Sequence, residues 1–496
     1  MLAEPAGGPG SELLPALLEQ LLKRVLDGNK RVQEAACSAL AVLEEEANMN
    51  GAALLPYLGP ILQTLVTAHG TYQEKNMMIL YDAIQTLADA VGPALNEEVR
   101  SHSLLRPTSF HLPARPNACT FFHTLSRVSL TREHASLLLA SPRPLLTHPK
   151  QQYIRLLMPP LMDKWRALEG PDPNLFPLLE CLTSVALALG HGFYPYCEEV
   201  HQRCVYLVHS DMQAEDAHRA DPANNPEPEK DFVIVALDLL SSITEGVGVA
   251  IESLVKNTDI LPLLLHYASD YTPEVRQSTF ALIGDYAKTC FVHLKPFILI
   301  IGEDGQIGGL LPVLAGNLDA THVPVCNNAT WAIGEIAMQL GDEMRQFLPQ
   351  ILPPLIALMN NPTNHQPILE NTGITLGRMG LVCPAEIAVV LPEFVILWCK
   401  YMRGFKNNEE KYDAFRGICK VIMTNPQCIA ESLPFFCTAI LSWDETSLAT
   451  KFTDLPELFR QILQYFKNSV DPQQWHGYFA QFPAKIQPPL QRLYGL

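Results

Sequence analysis

The sequence predicts an all-α protein built as a solenoid of antiparallel helix pairs, on four observations. Apolar residues recur at three- and four-residue steps through most of the chain, while the strict alternation of a half-buried strand is rare. Leu, Ala, Glu, Gln and Met fill those periodic windows, as helix propensity favours. The 40 prolines cluster between the periodic segments, which suits many short helices separated by turns. Last, one block returns along the chain: an apolar helix of about 15 residues whose second half carries small residues and an acid.

Copies of the block begin at Val32, Met78, Leu175, Val233, Val275, Val325 and Ile368, with a weaker one around Asp413. The steps between the seven firm anchors are 46, 97, 58, 42, 50 and 43 residues. Most lie near the roughly 40–47 residues of helical-hairpin repeats of the HEAT or armadillo type. A second apolar helix lies between anchors and carries proline at its expected start, as in Leu55-Pro56-Tyr57, Met158-Pro159-Pro160, Leu311-Pro312 and Leu352-Pro353-Pro354. Neither helix of a pair can bury its apolar face alone, so the pairs stack into one continuous core. The expectation is a HEAT-repeat superhelical solenoid over residues 12–496.

Taken in order, residues 1–11 form a Pro/Gly-rich leader expected to be disordered. The 97-residue step contains 101–150, which loses the helical period and has Glu133 as its single acid against six Arg or Lys. Without it the step is 47 and the remaining 446 residues carry a net charge of −22, so this Ser/Pro/His-rich stretch is foreign to its host. It reads either as a basic, disordered regulatory loop or as translated non-coding sequence. The 58-residue step contains 214–230, a polar, Pro-rich loop, and the 50-residue step contains 299–309, a candidate insertion.

The formal charge of −17 argues against a nucleic-acid backbone as partner and favours a basic one. The 12 cysteines include no Cys-x-x-Cys pair, and the sequence shows no signal peptide. The longest greasy stretch, Cys290 to Gly302, is broken by His293, Lys295 and Pro296, so no membrane span is expected. These features read as a protein of a reducing compartment. Cys197, His201 and Cys204 share a helical face but lack an evident fourth metal ligand. Gly302–Gly309 lacks the Gly-Lys-Ser/Thr of a phosphate loop, and no catalytic motif stands in context. No cofactor, metal or catalytic role is expected.

The segment around Trp331 organises the chain. Ala329, Ala332, Ile333, Ile336 and Leu340 make the apolar stripe of a helix closed by Gly341, and Ala329, Ala332 and Gly334 allow close approach of a neighbour. Off that stripe stand Asn327, Trp331 and Glu335 at i, i+4 and i+8. An indole between an amide and a carboxylate can hold a basic, partly apolar peptide, or it can be a half-buried packing residue. Acids recur in register: Asp82 with Asp89 and Asp238 with Glu245 lie seven apart, about two turns, and Glu45, Glu180, Asp285 and Glu335 sit late in their helices. They either line an extended site for Lys and Arg or form a solvated face.

These residues resemble the transportin family, the karyopherin-β receptors for proline-tyrosine nuclear localisation signals. The likeness rests on NKRVQEAACSA (29–39), ILYDAIQTLAD (79–89), DFVIVALDLLS (231–241), PEVRQSTFALIGD (273–285), VCNNATWAIGE (325–335), NNEEKYDAFRGIC (407–419) and the terminal Tyr-Gly-Leu. It covers nearly everything from Leu13 onward apart from the inserts, and it matches the family's C-terminal half. The resemblance implies a C-terminal arch that holds extended basic signals of cargo, RNA-binding proteins among them. Carried over by motif, Trp331 with Asn327, and Ile374 with Asn371, would hold the signal's N-terminal hydrophobic or basic segment. Glu45 and Asp82 would take its arginine, with Thr86, Asp89, Glu180, Ile234, Asp238 and Gln277 along the path. Glu245, Asp285 and Glu335 would extend the acidic inner face. Val42 stands where the family has a threonine beside the arginine-binding acids.

The family also implies nucleoporins as partners and a cytoplasmic and nuclear location. Its Ran-binding arch and its proline-tyrosine pocket lie upstream of what is matched here, so Ran is expected only if that arch is present. The competing expectation is a HEAT-repeat scaffold that assembles protein complexes without a transport role.

Overall fold

The computed structural model describes residues 13–48, 53–96, 153–301 and 307–496. The expected leader 1–11 and the whole of the basic insert 101–150 lie outside the described residues. By contact the chain divides into two units, Met1–Leu254 and Val255–Leu496.

In the first unit, helices Lys30–Asn48, Glu74–Val91, Leu175–Leu189 and Asp231–Val247 pack one on the next as a ladder. A second row, Leu13–Val25, Leu58–His69 and Tyr153–Ala167, stacks beside it. In the second unit the ladder is Pro273–Ile298, Val323–Leu340, Gln366–Val382, Glu409–Thr424 and Leu455–Asn468. Its companion row is Leu310–Gly316, Leu348–Asn360, Pro384–Met402 and Leu433–Ile440. This is a HEAT-type solenoid of helix pairs, with Leu, Ile, Val, Ala and aromatic side chains buried between the rows. Every anchored block of the sequence falls on a ladder helix.

Four ladder helices end on the same device. Gly92, Gly190, Gly248 and Gly341 take φ of 49°, 52°, 60° and 56° with ψ near −130°, and each opens a short 3-10 turn toward the next helix. Side chains are barred from that backbone region, so glycine is required at the exit. Elsewhere in the second unit the break is made by residues of negative φ with non-helical ψ: Cys290 (φ −144°, ψ 42°) inside Pro273–Ile298, and Cys383 and Asn425 at the ends of their helices.

Several expectations need adjusting. Pro159, Pro160, Pro353 and Pro354 lie inside Tyr153–Ala167 and Leu348–Asn360, so these helices start more than a turn before the prolines. Residues 214–230 are a loop only from Asp221, because the preceding helix runs on to Ala220. Buried Lys230 pins that loop by ion pairs to Asp211 (2.9 Å) and Glu215. Within 299–309, Ile300–Ile301 pairs antiparallel with Ile307–Gly308, a two-stranded ribbon in an otherwise helical unit. Two stretches, Leu175–Ala220 and Asp231–Lys256, pass a length-and-apolarity test for membrane spans, although no such run was expected. In each, 56% of the most apolar window is buried inside the protein, as a core helix requires. All 11 described cysteines are buried.

Candidate functional site

The ladder helix Val323–Leu340 turns Val325, Ala329, Ala332, Ile333, Ile336 and Leu340 into the core and leaves Asn327 and Trp331 half-buried at its margin. Close packing fixes Trp331. Its six-membered ring lies on Gly284 of the preceding ladder helix, where a methyl group would overlap it. Asn328 donates to the Gln277 carbonyl (2.9 Å) on that side, and the Thr375 hydroxyl donates to the Thr330 carbonyl (2.8 Å) on the other. Gly334 meets the Thr375 side chain so closely that a Cβ would come within 2.7 Å of its hydroxyl, which is the close approach its size predicts. Asn371 reaches across from Gln366–Val382 to donate to the Asn327 side chain (2.9 Å).

Behind the indole sits a buried charge cluster that sequence reasoning missed. The Arg378 guanidinium lies 2.8 Å from Glu335, 3.6 Å from Glu410 and 3.7 Å from Asp413, one cation among three carboxylates. Burial pushes the Glu410 carboxyl up to about 7, against the opposing pull of Arg378 and, more weakly, of the nearby Trp331 indole. Burial raises Asp413 as well, again with Arg378 opposing. The signal for this hub was in the sequence: an arginine between Gly377 and Gly380 on an apolar helix needs acids, and Glu410 and Asp413 stand three apart on the next ladder helix.

Glu335 is therefore a correction. It was expected on an open acidic face, but it is 7% exposed and paired with Arg378. A helix turns about 100° per residue, so the i+8 position lies about 80° round from Asn327 and rotates into the packing side. Ile374 (1% exposed) and Asn371 (5%) are likewise buried, because Gln366–Val382 is enclosed along nearly its whole length. Ile374 thus offers no apolar surface to a ligand, and Asn371 acts through Asn327. Ile234 and Asp285 are also buried.

In the first unit most of the expected residues reach the surface. Glu45, Asp82, Asp89 and Glu245 are exposed, while Thr86, Glu180 and Asp238 are half-buried, as is Gln277 in the second unit. Val42 is exposed one turn before Glu45. The Thr86 hydroxyl donates back to the Asp82 carbonyl (2.8 Å) of its own helix. Three of the acids converge across two helices: burial raises the Cys181 thiol, and Asp89, Asp82 and Glu180 all raise it further. Beside them lies Glu44, also unforeseen. It is fully buried, neither carboxylate oxygen has a hydrogen-bond partner, and burial together with Asp82 pushes it well above the usual carboxylate range.

The considered Cys197, His201 and Cys204 are all buried, and both His201 ring nitrogens lack partners. Burial lowers His201 to about 4. Among the described residues no group of three or more His, Cys, Asp and Glu is arranged to hold a metal ion.

A family of HEAT-like repeats matches residues 309–379, which holds Trp331, Glu335 and Arg378. The chain is 44% identical over 98% of its length to Transportin-1 of Mus musculus, and equally so to Transportin-1 of Homo sapiens. It is 35% identical over 97% to a transportin of Dictyostelium discoideum. The chain covers 46%, 46% and 44% of these relatives, about half their length. Among solved structures, an importin beta superposes on 85% of this chain and 44% of its own, with a TM-score of 0.52 at 13% identity, which bears on the fold alone. The chain is thus a transportin homologue of HEAT-repeat architecture that corresponds to about half of those proteins.

Proposed function

We propose that the chain is the cargo-holding part of a transportin-type nuclear import receptor, working between cytoplasm and nucleus. It binds extended, basic and partly apolar localisation signals along its ladder helices. The observation that carries this reading is the pairing of two chemistries on one repeated element. Acids from successive ladder helices converge in the first unit, and a rigidly packed indole with an amide beside it stands on a ladder helix of the second. In the first unit the residues for the signal are Glu45, Asp82, Thr86, Asp89, Glu180 and Asp238; in the second they are Gln277, Asn327 and Trp331.

A disordered basic segment suits such a surface, because Coulombic attraction acts before the segment is ordered and the indole supplies contact area afterwards. The 44% identity to Transportin-1 supports the same reading, and with it nucleoporins, and Ran for a full-length receptor, as partners. No catalysis is invoked. The test is a fluorescence anisotropy titration of the chain with a labelled basic signal peptide carrying an apolar N-terminal segment. Saturable binding that weakens as salt is raised is expected, since the contacts are largely between charges. Indifference to the peptide, with stable stoichiometric complexes of folded proteins instead, would favour an assembly scaffold.

A further inference from the structure

At the end of the second unit a cavity of about 580 Å³ opens between helices Leu433–Ile440, Glu445–Thr450, Leu455–Asn468 and Gln487–Tyr494. That is a size that holds a ligand rather than a water (roughly 300–1,000 Å³). Its walls are mostly apolar, with Leu448, Ile486 and Leu493 among the lining residues. The charges around it are Arg403, Arg460, Lys485 and Arg492 against the single acid Glu445, which Arg492 grips with two nitrogens. A cluster of bases around an apolar hollow runs against the character of a chain with net charge −17.

Trp443 lines the cavity, its side chain is 5% exposed, and its indole N–H has no hydrogen-bond partner. Its ring is already committed, with Phe415 and Phe452 edge-on at 5.4 and 5.2 Å and the Lys411 ammonium 4.9 Å from its centre. The Trp443 side chain is therefore a fixed apolar wall of the hollow, packed from behind by these rings.

We propose that this cavity is a second peptide-binding site of opposite preference: it takes a short acidic segment bearing an apolar anchor. The anchor fills the hollow against the Trp443 side chain, and flanking carboxylates meet Arg403 and Lys485 and compete with Glu457 for Arg460. A compact anion reaches only one or two of these bases, whereas carboxylates spaced along a peptide reach several. The site is independent of signal binding at Trp331, so either can fail without the other.

The probe is a fluorescein-labelled, C-terminally amidated peptide in which Asp and Glu alternate with Leu and Phe. Its control has Asn and Gln in place of the acids. Saturable binding of the acidic peptide to the full chain is expected, with little binding of the control. The exposed pair Arg403→Glu and Lys485→Glu should weaken it roughly tenfold while leaving the melting temperature and the basic signal's affinity unchanged. With 15N-labelled tryptophan, one of the five indole N–H signals should move on binding, and Trp443→Phe should remove that signal. No saturable binding, equal affinity for the control, or undiminished binding by the doubly reversed variant would each overturn the proposal.

Discussion

Glu44 and Glu335 occupy comparable late positions on ladder helices of the two units, and both are buried, yet they live in opposite electrostatic worlds. Glu335 has the Arg378 guanidinium at 2.8 Å. Glu44 has no hydrogen-bond partner, and its nearest charged influence is another acid, Asp82. The difference teaches that one cation decides whether a buried ladder acid is paired or left without a partner. It also divides the labour of the proposed site. In the first unit exposed acids give the ladder its negative face. In the second, Arg378 draws the acids inward, and what the ladder offers is aromatic and amide surface at Trp331 and Asn327.

The largest effect should come from removing the cation. Arg378→Met takes from buried Glu335 the guanidinium at 2.8 Å and should cost about 3–5 kcal/mol in urea denaturation. A loss below about 1 kcal/mol would erase the contrast with Glu44.

Next comes Glu410→Gln, whose effect depends on pH. The Glu410 carboxyl titrates at about 7 in the folded protein against an ordinary 4.5, so between those values the folded state holds more protons than the unfolded one. This group's contribution to stability therefore falls as pH rises through that window. Gln escapes the penalty, so the variant should be more stable than the parent above pH 7, by roughly 3 kcal/mol, with the advantage vanishing toward pH 4.5. Melting curves of the two proteins across that range check it. The comparison with the parent is essential, because His201, lowered to about 4 by burial, works in the other direction and costs stability as pH falls below its ordinary 6.5.

The smallest effect belongs to Glu44→Gln. A carboxyl held protonated is already close to an amide in charge and shape, so stability at neutral pH should change by less than about 1 kcal/mol. A loss as large as that of Arg378→Met would mean Glu44 is charged and paired.

Much of this architecture was legible in the sequence. The recurring block marked every ladder helix that carries an anchor, since its apolar stripe and its small residues both answer to one neighbour on each side. Gly341 was readable as a helix end, and Gly92, Gly190 and Gly248 repeat its backbone. What the sequence could not show is rotation finer than a helical face. Glu44 and Glu45 are adjacent letters, but about 100° of turn makes one fully buried and the other exposed. Over eight residues the same drift hid Glu335. Ile374 misled for a different reason: its helix is covered on nearly every side, so periodicity had no exposed face to report.

The most direct test of the proposed site is the affinity of a hydrophobic-basic signal peptide for Trp331→Ala, measured by anisotropy beside the parent at one salt concentration. A loss of about 1–3 kcal/mol, with the fold intact by circular dichroism, is the expected result for an aromatic anchor. Unchanged affinity would mean that the indole on Gly284 only packs the ladder, and that the signal, if bound, is held elsewhere.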